Sequence, residues 1–212
     1  MKRLAVIAAC ASLTAGCVSL LPESEPDTLY RLAGVDLEET VSGGAPVTVL
    51  VDRIAAPRGL AGDRIALLRG DAIAYMAGAA WISPAPQLMG SAVIDAFYET
   101  APLLAPARAE DGVNARYELD IELRRFEAEY DQGEGAAPQV RASLRARLID
   151  RDDRSLVGAR TVERTVRASQ NRQSAIVAAF SQAAGEASRE LAGWTQGAIC
   201  AADDAPQACI DP

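Results

Sequence analysis

The chain has no histidine, and its single lysine is Lys2. Beyond the N terminus, these absences exclude Ser-His-Asp and Cys-His catalysis, imidazole metal sites, and the lysine of Schiff-base and P-loop chemistry. A carboxylate pair of the glycosidase type remains conceivable, but only ten of the 212 residues are aromatic, which leaves few rings for stacking on sugars. The composition therefore predicts a protein that is not an enzyme and needs no cofactor.

The N terminus has the three-part pattern of a bacterial signal peptide. Lys2 and Arg3 precede an uncharged apolar run that is shorter than the roughly 20 residues of a spanning helix. The run ends in Leu13-Thr14-Ala15-Gly16-Cys17, the pattern of a lipobox, at which the thiol is acylated and the chain is cut just before it. We predict that residues 1–16 are removed and that Cys17 is lipidated; the alternative is a core thiol behind an ordinary signal peptide.

Lipidation would make residues 17–27 a short tether on a membrane outside the cytoplasm. Each buried CH2 contributes about 0.8 kcal/mol, so one acyl chain binds marginally whereas several chains of the palmitate type anchor stably. Loss of Lys2 and Arg3 changes the net charge from −8 to −10. This charge argues against nucleic acid as a partner and against a polybasic contact with lipid headgroups.

Two further cysteines, Cys200 and Cys209, lie in a C-terminal tail, residues 195–212. They enclose a polar loop that contains Pro206, and in an oxidising compartment this arrangement predicts a local disulfide. Two free thiols are the alternative. The spacing excludes a CxxC redox pair.

Apolar periodicity predicts one α+β domain at residues 28–194. Alternating or β-branched apolar residues predict strands at 28–32, 46–51, on both sides of Gly70 within 63–77, and at 155–167. Four-residue apolar steps predict a helix between Pro86 and Pro102 and a last helix whose stripe runs from Ile176 to Trp194. We expect a single domain with a mixed, largely antiparallel sheet and two amphipathic helices packed against it.

Residues 117–123 and 140–148 alternate between apolar and charged side chains, which predicts a hairpin that forms a meander with the next strand. The charged positions are acidic on the first strand and mainly arginine on the second. Adjacent Arg124 and Arg125 interrupt the alternation, and one extra residue of this kind predicts a β-bulge.

A pairing of Phe126 opposite Leu144 would place Leu123 opposite Ala146 and Glu122 opposite Arg147. Apolar side chains would then face inward, and acids would face arginines on the other side. Three carboxylates on one strand face would also suit metal binding or acid–base chemistry, but the facing arginines favour ion pairing.

The order of these features resembles the ABC-type transport auxiliary lipoprotein family (PqiC-like proteins). The resemblance covers residues 17–194, and its features are the lipobox, TLYRL at 28–32, AWISP at 80–84 leading into the first helix, YELDIELRRFEAEY at 117–130, VRASLRARLIDRDDRSL at 140–156, and ELAGW at 190–194. It implies a lipoprotein that works with an MCE-domain protein, an ABC permease and its ATPase to move lipids between the membranes of a Gram-negative envelope. No catalytic residue is implied.

The resemblance leaves two roles open. The protein would tether or dock the MCE assembly at the membrane, or it would be a carrier that itself holds a phospholipid. Val18 follows the anchor where aspartate would favour the inner membrane, so the outer membrane, facing the periplasm, is expected rather than the inner one. Trp81 is a candidate partner-binding residue; its alternative is an aromatic side chain packed under the first helix.

Overall fold

The alternating residues that begin at Tyr117 form the central strand of a sheet in the computed structural model, which describes residues 26–33, 47–202, 206 and 209. The elements in chain order are β1 (Thr28–Tyr30), β2 (Val47–Val51), β3 (Arg64–Arg69), β4 (Ala72–Trp81), α1 (Ala85–Thr100), β5 (Leu104–Ala107), a 3-10 helix (Ala109–Asp111), β6 (Tyr117–Glu129), β7 (Gln139–Asp150), β8 (Leu156–Arg167) and α2 (Gln173–Cys200).

Strand β6 has a different arrangement along each of its two edges. One edge pairs antiparallel with β7, and β7 pairs antiparallel with β8, which confirms the predicted meander. The other edge is shared by two shorter parallel strands, because β2 pairs with residues 117–119 and β3 pairs with residues 127–129. Outside these, β5 flanks β2, while β4 and then β1 flank β3. The expected single domain, with a mixed and largely antiparallel sheet, is confirmed.

The predicted bulge is present, but the predicted register of the hairpin is wrong by two residues. The pairing shifts between Leu123 and Arg125, so that Phe126 lies opposite Ala142 and Glu122 lies opposite Arg145. A shift of two residues keeps every side chain on its predicted face, so alternation alone does not fix the register. The β6–β7 connection sets the register, because the last pair before it joins Glu129 to Gln139.

The two helices lie on one face of the sheet, and we call the opposite face the outer face. Helix α2 packs across the meander, and α1 packs on α2 and β5. The predicted stripe of α2 is buried from Ile176 to Leu191, and Trp194 is partly buried against the core. The helix continues past Trp194 to Cys200 with Thr195 and Ile199 buried. The folded domain therefore extends beyond the boundary that we predicted at residue 194.

Three aromatic rings from three different elements meet between the sheet and α2. Trp81 of β4 stacks on Phe126 of β6 with ring centroids 5.7 Å apart. Phe180 of α2 meets both rings edge-on, at 5.2 Å from Trp81 and 4.8 Å from Phe126. Such pairs contribute beyond the area they bury, so this cluster joins the two halves of the sheet to the helix layer.

Strand β5 was not predicted. Its sequence, Leu104-Ala105-Pro106-Ala107, contains a proline, which cannot donate to a ladder hydrogen bond. The strand lies at the edge of the sheet beside β2, where one side of the backbone needs no strand partner.

Leu144→Ala should strongly destabilise the domain, because Leu144 is fully buried at the centre of β7. Removing a buried leucine side chain typically costs about 2–5 kcal/mol. The matched control is Leu156→Ala at the start of β8, where the side chain is 60% exposed and a change below about 0.5 kcal/mol is expected. Urea denaturation followed by circular dichroism measures both, and equal losses would contradict this account of the core.

Candidate partner-binding surfaces

Trp81, the predicted partner-binding residue, is a core side chain. It is 1% exposed, and its ring is covered by Phe126 and Phe180. The alternative, an aromatic side chain packed under a helix, describes its position. The helical ring that packs on Trp81 is Phe180, which belongs to α2 rather than α1. A partner does not reach this ring in the folded domain, so any binding role for Trp81 would act through the surface that it supports.

The predicted lipidation site, Cys17, lies outside the described residues, so its acylation stays a prediction. Cys200 is the last residue of α2, and the structure joins it to Cys209 with the two Cα atoms 5.3 Å apart. That separation lies within the range that disulfides span. The bond would fasten residues after α2 to the end of the helix.

The other tryptophan, Trp194, which the sequence analysis placed in the core stripe of the last helix, packs against the core with part of its side chain and leaves the rest accessible. It is partly exposed and lines an open cleft of about 470 Å³ between the end of α2 and the β7–β8 turn. Across the cleft lies Gly158 of β8, where an added Cβ would sit 3.3 Å from Cζ2 of the indole. A glycine inside a strand often marks such a close approach, and this was the sequence signal for the site.

Charged groups surround the apolar floor of this Trp194 cleft. Asp150 accepts hydrogen bonds from Nε of Arg116 at 2.8 Å and from the amide of Asp152 at 2.9 Å. The Arg116 guanidinium also lies 5.2 Å from the ring centre of Tyr117, which is buried beneath it. The hydrogen bond from Arg116 is the main cause that holds the pKa of Asp150 below its ordinary value. The cleft thus combines an aromatic surface with a positioned ion pair.

A second candidate surface is an open groove of about 800 Å³ between α1 and the segments that follow β2 and β5. Its apolar lining includes Val51, Ile54, Pro86 and Ile94, and its charged lining is Asp52, Arg53, Arg108 and Glu110. Two acids and two arginines line the groove, so their formal charges cancel and do not favour a cation over an anion. Beside it, burial raises the pKa of Asp95, and the positive charge of Arg108 opposes that effect.

The acidic face of β6 forms ion pairs, as predicted, and the corrected register sets one of them by placing Asp120 opposite Arg147. Glu118 pairs with Arg151 at 3.3 Å, Asp120 pairs with Arg147, and Glu122 pairs with Arg124 at 3.1 Å. Within residues 26–33 and 47–202, no group of three or more His, Cys, Asp or Glu side chains is arranged to hold a metal ion.

Comparison with known proteins identifies the family of this chain. The sequence model of the ABC-type transport auxiliary lipoprotein component matches residues 30–192. The chain therefore belongs to this family, which is a family of transport components and not an enzyme family.

Two crystal structures have the same fold. Protein XCC0632 from Xanthomonas campestris is 28% identical, with a TM-score of 0.68 over 81% of this chain and 96% of that one. Another protein, whose structure was solved without a known function, is 18% identical with a TM-score of 0.64, over 79% of this chain and 97% of that one. The second likeness supports the fold alone.

A curated relative from Bradyrhizobium diazoefficiens, an uncharacterised protein, is 35% identical over 115 residues. The match takes in 54% of this chain but spans only 30% of that relative's length. As for membrane segments, none of the helices in the described part of this chain is both long enough and apolar enough to cross a bilayer.

Asp150→Asn tests the ion pair of the Trp194 cleft through its pH dependence. A carboxyl whose folded pKa is lowered stabilises the fold above its unfolded pKa, and that stability is lost as the pH falls through the folded pKa. The variant should therefore be less stable than wild type at neutral pH, with a difference that shrinks below the ordinary aspartate value of 3.8. Urea denaturation between about pH 7 and about pH 3 measures this, and a difference that does not change with pH would contradict it.

Peptide mapping without reductant should recover a linked peptide pair that contains Cys200 and Cys209 and that separates on reduction. The sequence separation is only 9 residues, so the bond should stabilise the fold by at most about 2–3 kcal/mol. Recovery of both cysteines as free thiols would rule out the pairing.

Proposed function

We propose that this protein is the periplasm-facing lipoprotein subunit of an MCE-type ABC lipid transport system, which it docks at the outer membrane. Family membership carries the proposal, because an auxiliary lipoprotein of an ABC-type system works beside a transporter. Cys17 supplies the membrane anchor after removal of residues 1–16, and residues 17–27 are the tether. Val18 at the position after the anchor supports the outer membrane over the inner one.

Packing supports a docking role over a carrier role. A carrier needs an apolar cavity for the acyl chains of a phospholipid, and the natural place for it would be between the sheet and the helices. In the described part of the chain, that layer is filled by side chains that are at most 1% exposed: Trp81, Leu119, Ile121, Leu123, Phe126, Leu144 and Phe180.

The Trp194 cleft is the surface that we assign to the MCE-domain partner. Tryptophan and arginine are the residue types that most often dominate the energy of protein interfaces, and this cleft presents Trp194 beside Arg116. The Arg116–Asp150 pair offers both signs of charge at the rim, which suits polar groups around an apolar side chain of the partner.

The open groove between α1 and the segments that follow β2 and β5 supports a lipid carrier as a second candidate function. Its volume of about 800 Å³ and its partly apolar lining would accept part of an acyl chain on the surface of the domain. Mass spectrometry of lipids that co-purify with the folded domain lacking Cys17 separates the two candidates, because a dock retains no stoichiometric phospholipid.

Cys17→Ser should leave an unprocessed precursor and should give an envelope-permeability defect equal to that of a deletion strain, even if the domain folds. The reason is that a docking subunit acts only at the membrane to which it is anchored. A version with an exchanged signal peptide, which is released into the periplasm as a soluble domain, should not restore the barrier. Full restoration by the soluble version would contradict tethering and favour the carrier.

Photo-crosslinking in intact cells tests the docking surface in the same strains. A crosslinking residue in place of the exposed Ser155, at the rim of the cleft, should capture the MCE-domain protein. The matched control replaces Ile73, which is 47% exposed on β4 and should not capture it. Ile73 pairs with Leu68, and Leu68 pairs with Glu129 at the end of β6 opposite to the cleft. Capture at Ile73 alone would move the interface to the β3–β4 side of the domain.

A further inference from the structure

The strand that follows the tether carries an exposed apolar pair. Leu29 of β1 is 62% exposed, and Ile82, directly after β4, is 61% exposed. Leu29 pairs with Ala80, so Ile82 lies diagonally from it, two residues further along the neighbouring backbone. Isolated surface leucines and isoleucines are common, but two large ones this near each other on ordered backbone are less so. We call Leu29 and Ile82 the edge pair.

The two side chains are held on the same face of the sheet. Tyr30 pairs in register with Trp81, and both face the helix layer, where the Tyr30 hydroxyl donates to Gln173 at 3.5 Å. Because side chains alternate along a strand, Leu29 and Ile82 lie on the outer face. The amide of Ile82 donates to the carbonyl of Tyr30 at 2.7 Å, so the edge pair sits on paired backbone and not on a loop.

The position of the edge pair relative to the proposed anchor limits what covers it. Only residues 18–25 separate Cys17 from the first described residue, Pro26, and eight extended residues reach at most about 30 Å. The chain then enters β1 directly, at Thr28. Of the described elements, β1 is therefore the one nearest to the anchor along the chain.

We propose that the edge pair inserts into the interfacial layer of the membrane that holds the lipid anchor. The inference rests on the anchor in the proposed function. Once Cys17 is in the bilayer, insertion of Leu29 and Ile82 is an intramolecular event at high effective concentration, so a weak apolar contact is enough. The anchor and the edge pair together hold the domain against the membrane in one orientation.

A second copy of the chain fits this surface less well than a bilayer does. Strand β1 has only three residues, so its free edge offers few hydrogen bonds to another strand. Two side chains also cover far less than the roughly 800 Å² per partner of a stable interface. A membrane interface requires no matching surface, and it accepts a small apolar contact beside a lipid anchor.

The Trp194 cleft lies near the opposite end of α2 from the edge pair. Tyr30 of β1 meets Gln173 at the start of α2, whereas Ala198 lines the cleft near the helix end. Those two helical positions are separated by about 38 Å at 1.5 Å per residue. Contact of the edge pair with the bilayer therefore does not itself cover the cleft.

Quenching of an introduced tryptophan tests the proposal. Ile82→Trp is placed in the lipidated full chain, reconstituted in phosphatidylethanolamine–phosphatidylglycerol vesicles with brominated acyl chains. The matched control is Leu156→Trp, since Leu156 is 60% exposed at the β7–β8 turn, remote from β1. Trp81 and Trp194 give the same background emission in both variants. Brominated lipid should quench the added emission of Ile82→Trp several-fold more than that of Leu156→Trp, and adding Leu29→Ser should reduce that quenching.

Equal quenching of the two variants, or none in either, overturns the proposal. Crosslinking of Ile82 to a second copy without lipid quenching overturns it in favour of a dimer. Flotation of the same vesicles separates this failure from a failure of the proposed function, because protein that does not float with lipid lacks the anchor itself, and both proposals then fall.

Discussion

The bulge in β6 is the constraint on which the rest of the structure depends. Before the bulge, the inward-facing residues up to Leu123 belong to the part of β6 that lies on the β2 side. After the bulge, Phe126 faces the core in the part that lies on the β3 side. The amide of Leu123 donates to the carbonyl of Ala55 at 2.7 Å, in the segment that links these two parallel strands. One extra residue bends and twists the strand, which lets two short strands share one long edge. The same extra residue places the Phe126 side chain on the core face of β6, toward Trp81 and Phe180.

This arrangement divides the domain into an apolar interior and charged outer surfaces. The aromatic cluster and the aliphatic residues of the meander fill the space between the layers, so binding sites lie at the ends of elements. Buried acids on the outer side are held by direct bonds: Glu127 is 4% exposed and accepts from Nε of Arg125 at 2.6 Å and from the amide of Phe126 at 2.7 Å. These bonds satisfy the side chains that border the bulge, and they leave it rigid.

Local periodicity was enough to predict the meander, both helices and the bulge, because each depends on residues that are neighbours in the chain. The register of β6 and β7 was not predicted, since a shift by two residues preserves the pattern that was used. The sharing of one β6 edge by β2 and β3 is a long-range parallel pairing and leaves no local signal. Trp81 is more buried, and Trp194 less buried, than the sequence predicted for a related reason: burial of a tryptophan depends on what packs over it, and Phe180 packs on Trp81.

Helix α2 links the two surfaces that the proposed function needs. Its first residue, Gln173, contacts the strand that the tether enters, and its last turns line the cleft that carries Trp194. Between them, small side chains such as Ala183, Ala184 and Ala187 are buried and let α1 pack closely, so the helix is supported along its length. A supported helix transmits the position of one end to the other with little bending. Under the proposed function, contact of β1 with the membrane would therefore also set the position of the Trp194 cleft at the other end of α2.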